Sequence, residues 1–359
     1  MKTLLRLLLK SQHRQNRYPQ AQTEKGMTLI ELLIGTVMAF LIITPMLAFV
    51  VDMLNTDRRE QVKSNTEQDI QAAVDFIAQD LSQAIHIYDN NEITTINNSP
   101  TPLPPNPNGT PILVFWKRKQ IQNAIDPNRA ITPNKCRDNT PPNGPNVCND
   151  TYARSLVAYY LVRQPTSNSP WCQPGTTPCP SRIERYEISE GVRDPRIPPN
   201  PNVYFSNNEV SHSQRHSPAF NAAFDFNRLT EKVTTPAGFA NPIFIGQNPQ
   251  VLVNYIDHTQ KVLPMDECFM ALGEPTVTLP GQITPSRVGE NTLRVTDPIN
   301  INTNSFYACV DRSRKLARVT IRGNSLRRLQ DSNTPSNPNN SAFFPRASVQ
   351  VQGRGALRQ

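Results

Sequence analysis

Residues 26–51, GMTLIELLIGTVMAFLIITPMLAFVV, constrain this chain more than any other stretch. Between Met27 and Val51 the only charged side chain is Glu31. A helix needs roughly 20 apolar residues to cross a bilayer, so this segment is long enough to span one. Its flanks set an expected direction. Lys2, Arg6, Lys10, Arg14, Arg17 and Lys25 precede it and Asp52 and Asp57 follow, so residues 1–26 are expected to stay cytoplasmic and the rest to lie outside. A cleavable secretory signal fits poorly. Such a signal has a shorter apolar region with its small-residue cleavage site behind it, whereas here the glycine stands in front. The sequence therefore predicts a single-pass anchor in a cytoplasmic membrane.

Charge narrows the function classes. The chain carries a formal net charge of +8, but the six basic residues before the apolar run, set against Glu24, account for five of those charges. The remainder is too weakly basic to form a nucleic-acid surface, and no nucleic-acid partner is expected. Arg322, Arg327 and Arg328 form the densest later basic group and read as a solvated strand end. There is no GxSxG, no glycine-rich phosphate loop and no paired carboxylate motif, so no catalytic residues are assigned. His212 and His216 have helical spacing, but they stand among Asn, Ser and Pro without a metalloprotease glutamate and read as surface residues. No metal or cofactor is expected.

Glu31 then needs a reason, because a carboxylate inside a span costs about 2.5–3.5 kcal/mol at the centre and less near an interface. The plain reading is that Glu31, four residues into the span, snorkels or is protonated. The junction Lys25-Gly26-Met27-Thr28-Leu29-Ile30-Glu31-Leu32 resembles the type IV pilin and pseudopilin signal. That resemblance implies cleavage between Gly26 and Met27 by a prepilin peptidase on the cytoplasmic side, with N-methylation of Met27. It also implies that Glu31 pairs with the freed Met27 amine of a neighbouring subunit, since a buried charge needs a partner. Glu31 is then an assembly residue. Met27 departs from the family, which most often has Phe there. The leader of 26 residues is long for the family, and its apolar patch, Leu4 to Leu9, is too short to span a membrane.

Helical periodicity continues past the membrane through Val51, Leu54, Val62, Ile70, Val74, Ile77, Leu81, Ile85 and Tyr88. One helix over Met27 to Tyr88 would be about 90 Å long at about 1.5 Å per residue. Pro45 interrupts it and predicts a kink or local melting. The break is either adaptive, as the helix breakers of filament-forming pilins are, or merely tolerated in a membrane helix. Residues 89–111 and 120–150 are rich in Asn and Pro and read as loops that form neither helix nor central strand. Strands are expected at 112–117, 155–163, 182–188, 250–256, 306–310, 316–323 and 347–352, with DRSRK closing a hairpin between 306–310 and 316–323. The expected fold is α+β: a leader (1–26), an apolar span (27–51), an amphipathic continuation (52–88), and an antiparallel, loop-rich β domain (89–359).

Six cysteines suit an exported domain. Nearest-neighbour pairing, one of fifteen connectivities, would join Cys136 to Cys148, Cys172 to Cys179 and Cys268 to Cys309. The run from Val51 to Asp89 resembles the pseudopilins with which cyanobacteria secrete hormogonium polysaccharide, and FIAQDLSQAI is similar to minor pilins of the PilW type. The resemblance is strong over 26–89, faint through the loops, and returns at ARVTIRG and FFPRASVQVQGRG. It implies a minor subunit of a pilus-like or secretion-like assembly that supports polysaccharide export and gliding motility. Its partners would be the prepilin peptidase, other pilins or pseudopilins, and an inner-membrane assembly platform. The alternatives are a minor pilin of a twitching or DNA-uptake pilus and, in a different class, a membrane-anchored extracytoplasmic hydrolase or glycan-binding protein.

Overall fold

Helix α1 runs without interruption from Leu29 to Ser82. The computed structural model describes residues 26–97, 103, 106, 108–125, 148–163, 170–172, 179–194, 204, 216–221, 224, 226, 228–229, 249–257, 259, 262–278, 280, 282–296, 305–329 and 334–354. The Thr28 carbonyl accepts the first helical bonds, from the N–H groups of Glu31 (3.0 Å) and Leu32 (3.1 Å). Helical geometry continues through Pro45, so the expected local melting is absent. Two hydroxyls within the apolar half donate to carbonyls of the preceding turn, Thr36 to Leu33 (2.9 Å) and Thr44 to Phe40 (2.8 Å), which satisfies them without a partner outside the helix.

The chain divides into two compact units, Met1–Arg58 and Arg59–Gln359. In the second, α1 ends at Ser82, six residues before the expected Tyr88, and Ala84–Ile87 form strand β1. The sequence Ala-Ile-His-Ile alternates as well as it follows a helical period, and antiparallel pairing of Ala84, His86 and Ile87 with Lys117, Trp116 and Phe115 decides for the strand. Carbonyls at and just past the end of the helix find partners in the second unit: Arg354 N–H donates to Ser82 (3.2 Å) and Arg118 N–H to Gln83 (3.2 Å).

Helix α2, Asn90–Asn97, corrects the loop reading of residues 89–111. Its N-terminus is a reciprocal capping box: Glu92 N–H donates to the Asp89 carboxylate (2.9 Å) and Asp89 N–H to the Glu92 carboxylate (3.3 Å). Strand β2 runs from Gly109 to Ile125, so residues 120–125 are strand rather than loop. Its register shifts between Pro111 and Leu113, where proline cannot donate to the ladder. Strands β3 (Asn149–Val162), β4 (Ser181–Ser189) and β5 (Gln250–Ile256) complete an antiparallel sheet in the order β1-β2-β3-β4-β5.

Beyond it come helix α3 (Glu267–Ala271), the paired strands β6 (Thr276–Val277) and β7 (Ser286–Arg287), helix α4 (Glu290–Leu293) and strand β8 (Arg294–Val295). Strands β9 (Phe306–Asp311) and β10 (Leu316–Arg322) form the expected hairpin across residues 312–315. Helix α5 (Leu326–Leu329) and strand β11 (Arg346–Gln352) follow, and the second sheet has the order β11-β10-β9-β8. The fold is thus α+β: a long N-terminal apolar helix followed by antiparallel sheets.

Ile70, Val74, Ile77 and Leu81 recur at helical spacing and enter one core with residues of both sheets. Helix and second sheet pass closely at Gly323, where a Cβ would lie 2.3 Å from Ile70 Cδ1. The arginine group expected at a solvated strand end is instead largely buried. Arg322 is 6 % and Arg327 1 % exposed; Arg322 pairs with fully buried Asp257 (2.6 Å), and Arg328 reaches Asp69 on α1. Cys172 is bonded to Cys179 and Cys268 to Cys309. Cys148 is also disulfide-bonded, while Cys136 lies outside the described residues.

Candidate functional site

Every residue from Gly26 to Gln61 is exposed. The large apolar side chains Met27 to Leu54 present between 48 % (Val50) and 83 % (Leu29) of their surface, all around the helix. Covering one Val, Leu, Ile, Phe or Met side chain contributes about 1.5–3 kcal/mol, so this surface strongly favours transfer out of water. Soluble monomers rarely leave contiguous apolar patches beyond a few hundred Å² uncovered. The helix is long and apolar enough to cross a membrane.

The sequence-assigned residues Gly26, Met27 and Glu31 lie together at its start. Gly26 and Met27 precede the helix, and Glu31 sits in its first turn, where the unpaired N–H groups and the macrodipole favour a negative charge. A Cβ at Gly26 or Gly35 would meet nothing within 4 Å, so packing within the chain demands neither glycine. Pro45 lies further along the same exposed surface. The described cysteines belong to the second unit. His216 is half-buried beside Tyr204, with ring centroids 5.9 Å apart, and His212 lies outside the described residues.

A second polar arrangement was not foreseen from the sequence. Asp80 lies on the buried face of α1, 7 % exposed, and its carboxylate accepts from Lys117 Nζ, Tyr159 Oη and Arg185 Nε, each at 2.8 Å. Glu187 joins from β4, with Arg185 at 2.6 Å, Lys117 at 3.5 Å and Lys119 at 3.6 Å. Burial alone would raise the Glu187 carboxyl, but Lys117, Arg185 and Lys119 outweigh it and hold it down at about 2. Burial and the adjacent Asp80 charge push the Tyr159 phenol well above its ordinary range, so it serves as a donor. The cluster fastens α1 across strands β2, β3 and β4. One signal could have found it: Asp80 follows Ile77 by three residues and thus falls on the apolar stripe, where an acid needs a cation.

No family model matches this chain, and neither the curated proteins nor the solved structures give a match.

Proposed function

We propose that the chain is a minor pseudopilin-type subunit, held in a cytoplasmic membrane by the first half of α1 and serving a filament-like assembly that exports polysaccharide and supports gliding motility. In this reading residues 1–26 are cytoplasmic until a prepilin peptidase cuts after Gly26, and the second unit lies outside. One observation carries it: an all-round exposed apolar segment, Met27–Val51, whose only charge, Glu31, stands four residues after Met27. Lipid covers such a helix in the membrane, and neighbouring apolar helices cover it in a filament. The disulfides support an oxidising compartment for the second unit.

The experiment replaces Glu31. A carboxylate that pairs with a neighbour's Met27 amine leaves that amine buried and alone in Glu31→Ala, a cost of about 3–5 kcal/mol. Membrane insertion and cleavage should persist, because the span becomes more apolar. Incorporation into filaments, followed by cross-linking, should fall, with Glu31→Gln intermediate. Undiminished incorporation in Glu31→Ala would reject the pairing and favour an anchored protein that works alone.

A further inference from the structure

We propose that a cleft of about 280 Å³ in the second unit binds a carboxylate-bearing sugar unit, such as a uronic acid residue. One wall is the β6–β7 pair with the start of α4, and the other is the β9–β10 turn beside the N-terminus of α2. The walls are tied in place. Asn90 Nδ2 donates to Asn291 O (2.9 Å), and Asn91 Nδ2 to Thr292 Oγ1 (3.3 Å). Glu290 accepts from the N–H groups of Cys268 (3.0 Å) and Phe269 (2.9 Å), and the Cys268–Cys309 disulfide fixes that segment to β9. The cleft is therefore pre-formed, and a ligand entering it orders little new chain.

Among the lining residues the exposed charges are positive. Arg287 and Arg312 line opposite walls and are about half exposed, with side-chain accessibilities of 47 % and 56 %. Each spends part of its guanidinium on structure. Arg312 Nη1 donates to Glu92 (2.8 Å), and Arg287 Nη2 donates to Asp266 while its plane lies over the Phe269 ring. A guanidinium has five N–H donors in a rigid fork, so both side chains keep donors for a second acceptor, and that fork matches a carboxylate.

The two carboxylates of the lining are withdrawn. Asp89 is 8 % exposed and caps α2; Asp311 is 5 % exposed and accepts from Ser313 Oγ (2.6 Å), Ser313 N (2.9 Å) and Arg314. The rest of the lining suits a hydroxylated ring. Thr276, Thr292 and Ser313 offer hydroxyls, and Val277, Val288 and Leu293 offer an apolar surface for the C–H face. The volume is just below the usual range for ligand sites and suits a single monosaccharide unit, so a longer polymer would present one unit at a time.

The inference stands on the cleft and not on the assembly reading, so binding can also be measured in the Glu31→Ala chain, where it should be unchanged. The full chain in detergent micelles is titrated by calorimetry with oligogalacturonate, with a neutral oligoglucose of equal length, and with inorganic phosphate. Oligogalacturonate should bind and the other two should not. Arg287→Gln and Arg312→Gln should each weaken binding about ten-fold, the loss of one charged hydrogen bond, with the melting temperature of Arg287→Gln unchanged. If Arg312→Gln loosens the fold through Glu92, Arg287→Gln still decides. No binding of oligogalacturonate, equal binding of the neutral oligomer or of phosphate, or full binding in Arg287→Gln would overturn the proposal.

Discussion

The two halves of α1 obey opposite rules within one continuous helix. From Leu29 to Leu54 the helix is apolar on every side, and none of it is buried by the chain itself. From Thr66 to Leu81 polar and apolar residues alternate at helical spacing in equal number, and Ile70, Ala73, Val74, Ile77 and Leu81 are almost completely buried. The second half owes its environment to this chain's own sheets, and periodicity is its signature. The first half needs an environment from elsewhere, and composition without periodicity is its signature. Their charges differ in the same way: Asp80 finds three donors within the fold, whereas Glu31 makes no ion pair among the described residues.

Substitutions should separate the halves by magnitude. Asp80→Ala removes the nearer carboxylate from buried Lys117, one of two from Arg185 and the acceptor of Tyr159, leaving Glu187 to both cations, and should destabilise the second unit by up to about 3–5 kcal/mol, measured by denaturant unfolding of the full chain in micelles. A loss under about 1 kcal/mol would mean that the cluster is not what fastens α1 to the sheet. Ile77→Ala, at a position with 0 % exposure, should cost about 2–5 kcal/mol through the cavity it opens.

The comparison also explains what the sequence made legible. The apolar span and the seven longer strands are legible because they are local patterns. Helix α2 was passed over because Asn90-Asn91-Glu92-Ile93-Thr94-Thr95 has turn-like composition, although Asp89 and Glu92 already spelled a capping box. Asp80 stands on the apolar stripe in plain view, but its partners are not legible because they lie 37, 79 and 105 residues away along the chain. Arg322 and Arg327 were misread for the same reason. Sequence shows that they are charged, but only the returning chain that brings Asp257 against Arg322 shows that they are buried.

Acid should loosen the unit that holds the second half. The Glu187 carboxyl is held at about 2 in the fold, below its ordinary 4.5, so it contributes stability that is complete above the ordinary value. That contribution, about 3 kcal/mol from the size of the shift, should be lost as pH falls from 4.5 towards 2. Unfolding free energy against pH should show this slope in the native chain and lose most of it in Glu187→Gln. The smallest effect belongs to the first half: Leu41→Ala, at a side chain 62 % exposed, should change the unfolding of the second unit by no more than about 0.5 kcal/mol. A loss comparable to Ile77→Ala would show that the chain's own fold depends on the apolar half.

The central claim is that the apolar half is kept, trimmed at its front border and supplied with surroundings by membrane and neighbours. Intact mass and N-terminal sequencing of the native chain extracted from membranes tests it most directly. The account predicts a chain that begins at Met27, carries an added methyl group on its amine and retains the whole of residues 27–51. A chain still bearing residues 1–26, or one cut behind residue 51 and released from the membrane, would contradict it.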